Sequence, residues 1–203
     1  MDDQNAMFTS FSAEQLAQAF PISKRTQAEK VSTLVLAKLH DRIWTDRFQV
    51  QVTTEKMVIP SRLYFESGKK LGDHANVEEL LMFQCLASRS NDGFQRQRAN
   101  RELLKDIQTW SAPYIIALMG EYVFEILVDT SEAITTENIQ KLLPFVSENP
   151  KYWNLTKQRV MSYWNVYYRW KYTRSEYVGI QIIQRIDDAL AKYRKKLSAP
   201  QPR

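Results

Sequence analysis

Cysteine, histidine and glycine are scarce in this 203-residue sequence, which holds one cysteine, two histidines and five glycines. With Cys85 alone the chain cannot form an intramolecular disulfide, and such a composition is typical of a reducing compartment. Few glycines and only seven prolines disfavour long loops and architectures rich in β-structure. Hydrophobic residues at 44% and charged residues at 25% indicate a globular protein rather than a disordered chain.

The sequence also lacks the short motifs that usually carry catalysis or metal binding. It has no paired-cysteine motif, no histidine–glutamate motif of zinc enzymes and no glycine-rich phosphate loop. His40 and His74 lie in polar surroundings, and Cys85 on an apolar helix is more often an inert core residue than a nucleophile. We therefore lean towards a protein that is not an enzyme, with no catalytic residue, metal or cofactor to assign.

No hydrophobic run suits a signal peptide or a membrane span. The first five residues are acidic and polar, unlike the start of a secreted precursor. The most apolar stretch, 112–128, is interrupted by Gly120, Glu121 and Glu125 and is shorter than the roughly 20 residues that cross a bilayer. We expect no membrane span and a cytoplasmic location.

Positive charge is concentrated in the last quarter of the chain. The whole sequence carries a net charge of +5. Residues 151–203 hold 12 of its 28 basic residues but only 3 of its 23 acidic ones, a local charge of +9. This asymmetry favours an anionic partner, either nucleic acid or the protein's own acidic part.

Helical periodicity recurs through most of the chain, with capping residues such as Ser12 and Asn76 at the predicted starts. Between residues 48 and 65, apolar residues instead alternate with polar ones, which is the period of a strand. We therefore predict an all-α single domain over 1–203, a helical bundle or a short stack of helical hairpins. It would have a small extended or hairpin excursion near 48–65 and loose ends at 1–11 and 198–203.

One predicted helix, 112–130, is apolar around almost its whole circumference and is expected in the centre of the domain. Its acidic stripe includes Glu121 and Glu125, which need partners because an unpaired buried carboxylate is costly. Arg96 lies on the apolar face of the preceding predicted helix. We predict a structural ion pair of Arg96 with Glu121 or Glu125, and a catalytic carboxylate pair is the alternative.

Nine aromatic residues lie between positions 152 and 177, threaded with basic side chains. Two interpretations compete, namely rings that fill a core and rings that stack on nucleic acid beside phosphate-binding cations. On a helix over 155–173 the rings gather on one broad arc, apart from the polar residues, which favours core packing. That arc comprises Val160, Tyr163, Trp164, Tyr167 and Trp170.

The last predicted helix, about 175–197, separates an apolar stripe from a basic face. A solvated surface is the ordinary interpretation of such a face, and an anion-binding surface is the alternative. The candidate anion- or partner-binding residues are Arg169, Arg174, Arg185, Lys192, Lys195 and Lys196.

Two patterns resemble known proteins. Asp92, Arg96, Ala99 and Leu103 have the spacing of a HEAT-type helical repeat, and this resemblance implies stacked helical hairpins. A wider pattern resembles a family of bacterial hypothetical proteins; it spans most of the chain but implies no activity. Its segments are Ile59-Pro60-x-Arg62-Leu63-Tyr64-Phe65, Ser88-Arg89-x-x-Asp92-Gly93-Phe94-x-Arg96-Gln97-Arg98 and Gly120-Glu121-Tyr122-Val123-x-Glu125-Ile126-Leu127.

Together these features predict a non-enzymatic helical interaction module, such as a protein–protein scaffold or adaptor, with a protein partner or a second copy of itself. The alternatives are a nucleic-acid-binding protein that uses its basic C-terminal helix and a self-associating structural protein.

Overall fold

The computed structural model describes residues 12–41, 46–65 and 75–198. The helices are α1 (Ala13–Ala17), α2 (Arg25–Leu36), α3 (Val77–Ala87), α4 (Gly93–Lys105), α5 (Ala112–Met119), α6 (Phe124–Ala133), α7 (Leu143–Glu148), α8 (Pro150–Tyr163) and α9 (Val178–Ser198). The strands are β1 (Leu39–Asp41), β2 (Arg47–Val52), β3 (Glu55–Pro60) and β4 (Tyr64–Phe65). This confirms a mostly helical fold with a small antiparallel region. The ends predicted to be loose lie outside the described residues, except for Ser198, which ends α9.

The predicted excursion near 48–65 is a hairpin of β2 and β3. The two strands pair antiparallel through Phe48 and Ile59, among others, and their alternate residues are buried. The turn residues Thr53 and Thr54 have φ values of 47° and 70°, the left-handed backbone that tight hairpin turns require. β1 and β4 form a second antiparallel pair beside it.

Helix α5 lies at the centre of the core, because its sequence contains no charged side chain. All eight of its residues are buried, and the Tyr114 hydroxyl donates a 2.6 Å hydrogen bond to the Ala19 carbonyl. Buried side chains from α1 through α9 belong to one continuous cluster around it. The single domain over 1–203 stays a prediction.

The prediction of one continuous helix over 112–130 is wrong. The chain leaves helical geometry after α5, passes through Gly120 and resumes as α6 at Phe124. Glycine is a poor helix former, and the carboxylate of Glu121 is drawn into buried ion pairs. Glu121 and Glu125 therefore do not share one helical stripe.

The prediction that the aromatic arc packs in the core is also wrong in part. Val160 is buried and Trp164 is half-buried, but Tyr167 is 51% exposed and Trp170 is 78% exposed. The reason is that α8 ends at Tyr163 and continues as a π-helical turn, Trp164–Tyr168. A wider turn rotates the following side chains away from the positions that a regular helix gives them.

Helix α9 buries Ile182, Ile186 and Leu190 of its predicted apolar stripe, but Leu197 near its end is 67% exposed. Its close approach to α8 depends on Gly179, where an added Cβ would lie 2.9 Å from a Val160 methyl carbon. Among the helices of the described ranges, none combines the length and apolar character needed to cross a membrane.

An arginine cleft as the candidate functional site

A cleft of about 480 Å³ opens between the end of the β2–β3 hairpin, the connection from α5 to α6, and α8. Its volume lies within the range of small-molecule pockets, about 300–1,000 Å³. Arg62, Arg89 and Arg159 line this cleft, together with Glu121 and several tyrosines. We refer to it as the arginine cleft.

Three guanidinium groups surround the carboxylate of Glu121, which is 7% exposed. Arg96 Nε lies 2.6 Å from Oε2, Arg62 Nη1 lies 2.8 Å from Oε1 and Arg89 Nη2 lies 3.2 Å from Oε1. The Arg96 contact is an ion pair without the alignment of a hydrogen bond. Glu121 is thus the anionic centre of a buried charge cluster.

Local backbone structure brings these arginines together. Arg89 follows α3 in a turn, and its carbonyl accepts a 2.8 Å hydrogen bond from the amide of Leu63. This contact and the bridge between Leu63 and Ser90 hold Arg62 beside Arg89. Arg96 lies in the first turns of α4, where its Nη1 donates to the Ser90 carbonyl at 2.9 Å.

Of the three arginines that contact Glu121, Arg89 has the most buried nitrogens without a hydrogen-bond partner. Its side chain is buried at 5% exposure, and Nη2 donates a 2.9 Å hydrogen bond to the Ser61 carbonyl. Its Nε and Nη1 have no hydrogen-bond partner among the described residues. Burial lowers the pKa of the Arg89 guanidinium, and the Glu121 carboxylate opposes that shift. An unpaired buried donor costs about 1–3 kcal/mol, and the Arg89 guanidinium carries positive charge that Glu121 balances only in part.

Helix α8 supplies the outer wall of the cleft. Tyr152, Arg159 and Tyr163 all line it, at intervals of seven and four residues that place them on one face of a helix. Burial raises the pKa of Tyr152 to about 12, whereas the charges of Arg89 and Arg159 oppose the rise. Both guanidinium groups therefore lie within electrostatic range of the Tyr152 hydroxyl. Arg159 is exposed and extends beside Gly120.

Exposed tyrosines continue from the mouth of the cleft. The rings of Tyr122 and Tyr163 are 6.2 Å apart in an edge-to-face arrangement. Tyr163 stacks on Tyr167, also at 6.2 Å. We refer to Tyr122, Tyr163 and Tyr167 as the tyrosine rim. The Tyr168 hydroxyl donates a 3.0 Å hydrogen bond to the Tyr122 carbonyl and so fixes the rim against the π-helical turn.

The structure brings Arg96 and Glu121 together, but it leaves Glu125 exposed in the first turn of α6. Sequence reasoning missed Arg62, Arg89 and Arg159 as functional candidates. A signal existed for two of them, because Arg62 and Arg89 lie in the same three-segment pattern as Arg96 and Glu121. Arg159 carried no signal beyond its position on a helix face.

The six residues predicted to bind an anion or a partner differ in their contacts and exposure. Arg185 is committed to the end of α6, where it donates to the Ile134 carbonyl at 3.2 Å and to Ser131 Oγ at 2.8 Å. Lys192 lines a second cavity of about 470 Å³ together with Arg185 and Asp188. The remaining members are exposed side chains: Arg169, Arg174, Lys195 and Lys196.

No group of three or more potential metal-binding side chains occurs within residues 12–41, 46–65 and 75–198. Comparison with protein-family models, with curated proteins and with solved structures finds no match. The resemblances to bacterial hypothetical proteins and to a HEAT repeat therefore stay predictions.

Proposed function

We propose that this protein is a non-enzymatic interaction module that binds an acidic segment of a partner protein in the arginine cleft. The observation that carries the proposal is the state of Arg89. Arg89 and Arg96 are both buried and both pair with the single carboxylate of Glu121, while two nitrogens of Arg89 lack acceptors among the described residues. A second carboxylate, brought by a partner, would balance this buried positive charge by electrostatic attraction.

The composition of the cleft favours a protein partner over nucleic acid. Its described lining contains arginine and tyrosine but no lysine, and Tyr and Arg are enriched at the energetic centres of protein interfaces. Proteins that follow a nucleic-acid backbone instead use extended grooves with many cations. A cleft of about 480 Å³ suits one or two side chains rather than a continuous phosphate backbone.

Nucleic-acid binding through α9 is the second candidate. It is favoured by Lys192, Lys195 and Lys196, which are exposed near the end of the helix. Arg185 contributes little to that surface, because its guanidinium is committed to Ser131 and Ile134. Self-association, in which this basic end meets the acidic part of another copy, would bury the same lysines.

The proposal extends to architecture and location. We infer that α3 and α4 form one helical hairpin and α5 and α6 another, and that the two stack. Direct contacts between α3 and α4, α5 and α6, and α4 and α6 support this. A helical-hairpin stack suits a scaffold or adaptor. We also infer a cytoplasmic location, supported by the single buried cysteine, Cys85.

Fluorescence anisotropy with a labelled hexaglutamate peptide tests the proposal. We expect Arg159→Gln to weaken binding about fivefold, which corresponds to about 1 kcal/mol for a partly solvated charge pair. Arg169→Gln is the matched control, since it also removes one exposed arginine charge, and it should change the affinity less than twofold. Equal losses in the two variants would indicate general charge attraction and contradict binding in the cleft.

The competing candidates need their own measurements. A labelled single-stranded oligonucleotide whose binding is lost in the Lys195→Gln, Lys196→Gln double variant, but kept in Arg159→Gln, would favour nucleic-acid binding through α9. Light scattering coupled to size exclusion, at low and moderate salt, would reveal self-association as a mass that falls when salt screens the charges.

A further inference from the structure

We infer that the partner segment whose acidic residue binds in the arginine cleft also carries a nearby aromatic residue, whose ring packs against the tyrosine rim. This inference rests on the proposed function and specifies its ligand. Its basis is continuity, because Tyr122 and Tyr163 line the arginine cleft and are also members of the rim. A partner that places a carboxylate in the cleft therefore lies close to these two rings.

The rim is a preformed surface rather than a collection of loose side chains. Tyr168 holds the Tyr122 backbone by its hydroxyl, and its own ring packs against Phe124 at 5.3 Å and Tyr177 at 5.3 Å. Tyr177 is fully buried, so the chain of contacts reaches the core. A surface already ordered in the free protein loses little side-chain freedom when a ligand binds.

The rim nevertheless leaves aromatic surface open to a partner. Tyr122 is 56% exposed and Tyr167 is 51% exposed, although each ring contacts Tyr163 on one side. Aromatic rings prefer further aromatic neighbours in offset-stacked or edge-to-face arrangements. The same two arrangements already occur within the rim, so an additional ring would extend an existing pattern.

The cleft and the rim share two side chains. Tyr122 and Tyr163 line the cleft and are neighbouring rings of the rim, so a short segment of a partner can reach both surfaces. Positive charge in the cleft and aromatic surface beside it select a segment in which an acidic residue and an aromatic residue lie close together.

Two labelled peptides of identical charge test the inference, one with phenylalanine two positions away on each side of its central glutamate and one with alanine at both positions. We expect the wild-type protein to bind the phenylalanine peptide about threefold to fivefold more tightly, as expected for one added ring contact. Tyr167→Ala should bring this ratio close to one. Trp170→Ala removes an exposed ring outside the rim and should leave the ratio unchanged.

The outcomes separate this inference from the function on which it rests. Equal binding of the two peptides by the wild type, with both weakened by Arg159→Gln, would overturn the aromatic pattern and keep the anion site. A wild type that binds neither peptide would overturn both. Adenosine monophosphate that displaces the peptides much better than inorganic phosphate would assign the rim to a nucleobase and also overturn the inference. Thermal melting of each variant checks that it is folded.

Discussion

The arginine cleft and the basic face of α9 carry comparable numbers of cations but place them in opposite surroundings. In the cleft, Arg89 is buried against the Glu121 carboxylate, which also pairs with the buried Arg96. On α9, Lys195 and Lys196 are exposed, where water and salt screen their charge. The local charge of the sequence points to α9, whereas Arg89, whose buried Nε and Nη1 lack acceptors among the described residues, lines the cleft.

This difference shows why the density of charge along a chain is a weak guide to a binding site. An exposed lysine is already solvated, so an anion gains little by displacing that water. A buried guanidinium has lost its water, and each missing acceptor costs free energy until a ligand supplies one. The cleft, with fewer basic residues close together in sequence, is therefore the better candidate.

The largest effect should come from Glu121→Gln, which removes the carboxylate shared by Arg62, Arg89 and Arg96. Breaking a buried ion pair on one side typically costs about 3–5 kcal/mol. We expect a loss of stability of that size in chemical denaturation. Glu125→Gln, on the exposed first turn of α6, should cost less than about 1 kcal/mol. Similar small losses in both variants would mean that the cluster does not stabilise the fold.

Gly179→Ala should have the next largest effect, because it strains the inner face of α9. An added Cβ would lie 2.9 Å from Tyr177 Cε1 and 2.9 Å from Val160 Cγ1, and overpacking of this kind typically costs about 1–3 kcal/mol. Gly120→Ala at the cleft is the matched control, since its nearest contact would be 3.4 Å, to Arg159 Cδ. The melting temperature of Gly179→Ala should lie well below that of Gly120→Ala. The reverse order would contradict this packing.

Arg185→Gln tests whether Arg185 stabilises the fold, unlike the solvated lysines on the same basic face of α9. Its guanidinium donates to two carbonyls at the end of α6, and their loss should cost about 1 kcal/mol. Lys196→Gln, on the same helix, should stay within about 0.5 kcal/mol of the wild type. Denaturant unfolding of both variants measures the difference, and equal stabilities would place Arg185 among the solvated cations.

The last prediction concerns Tyr152 and applies only at high pH. Its folded-state pKa is raised to about 12 from the ordinary value of 10.0, mainly by burial. The folded protein therefore keeps this proton more strongly than the unfolded chain, and stability should fall as the pH rises from about 10 to about 12. Tyr152→Phe should reduce that slope, and Tyr64→Phe, which removes an exposed phenol, should leave it unchanged. An unchanged slope in Tyr152→Phe would contradict burial of the phenol.

Features with a local cause could be predicted from the sequence, and features made by tertiary contacts could not. Alternation of apolar residues predicted the β2–β3 hairpin, and a lone arginine on an apolar face predicted the pairing of Arg96 with Glu121. Arg62 and Arg89 lie outside the helices and strands, so periodicity does not predict where their side chains point. They meet because the Leu63 backbone pairs with the chain at Arg89 and Asn91.

The aromatic segment shows the same limit of prediction from the sequence. Periodicity assumes that one helical geometry persists, and at Trp164 the chain changes to a wider turn in which the Arg169 amide bonds the Trp164 carbonyl. Tyr167 and Trp170 are therefore exposed rather than buried. Core packing describes only a part of the segment, with Trp153 and Val160 in the core, and stacking on nucleic acid stays a prediction.

The most direct test of the arginine cleft is a nuclear magnetic resonance titration that follows the Nε–H signals of arginine side chains as hexaglutamate is added. If the peptide binds in the cleft, the signals of Arg89 and Arg159 should shift together and saturate with one binding constant, while that of Arg169 stays in place. A shift of Arg169 with Arg89 and Arg159 unmoved would contradict the proposed site.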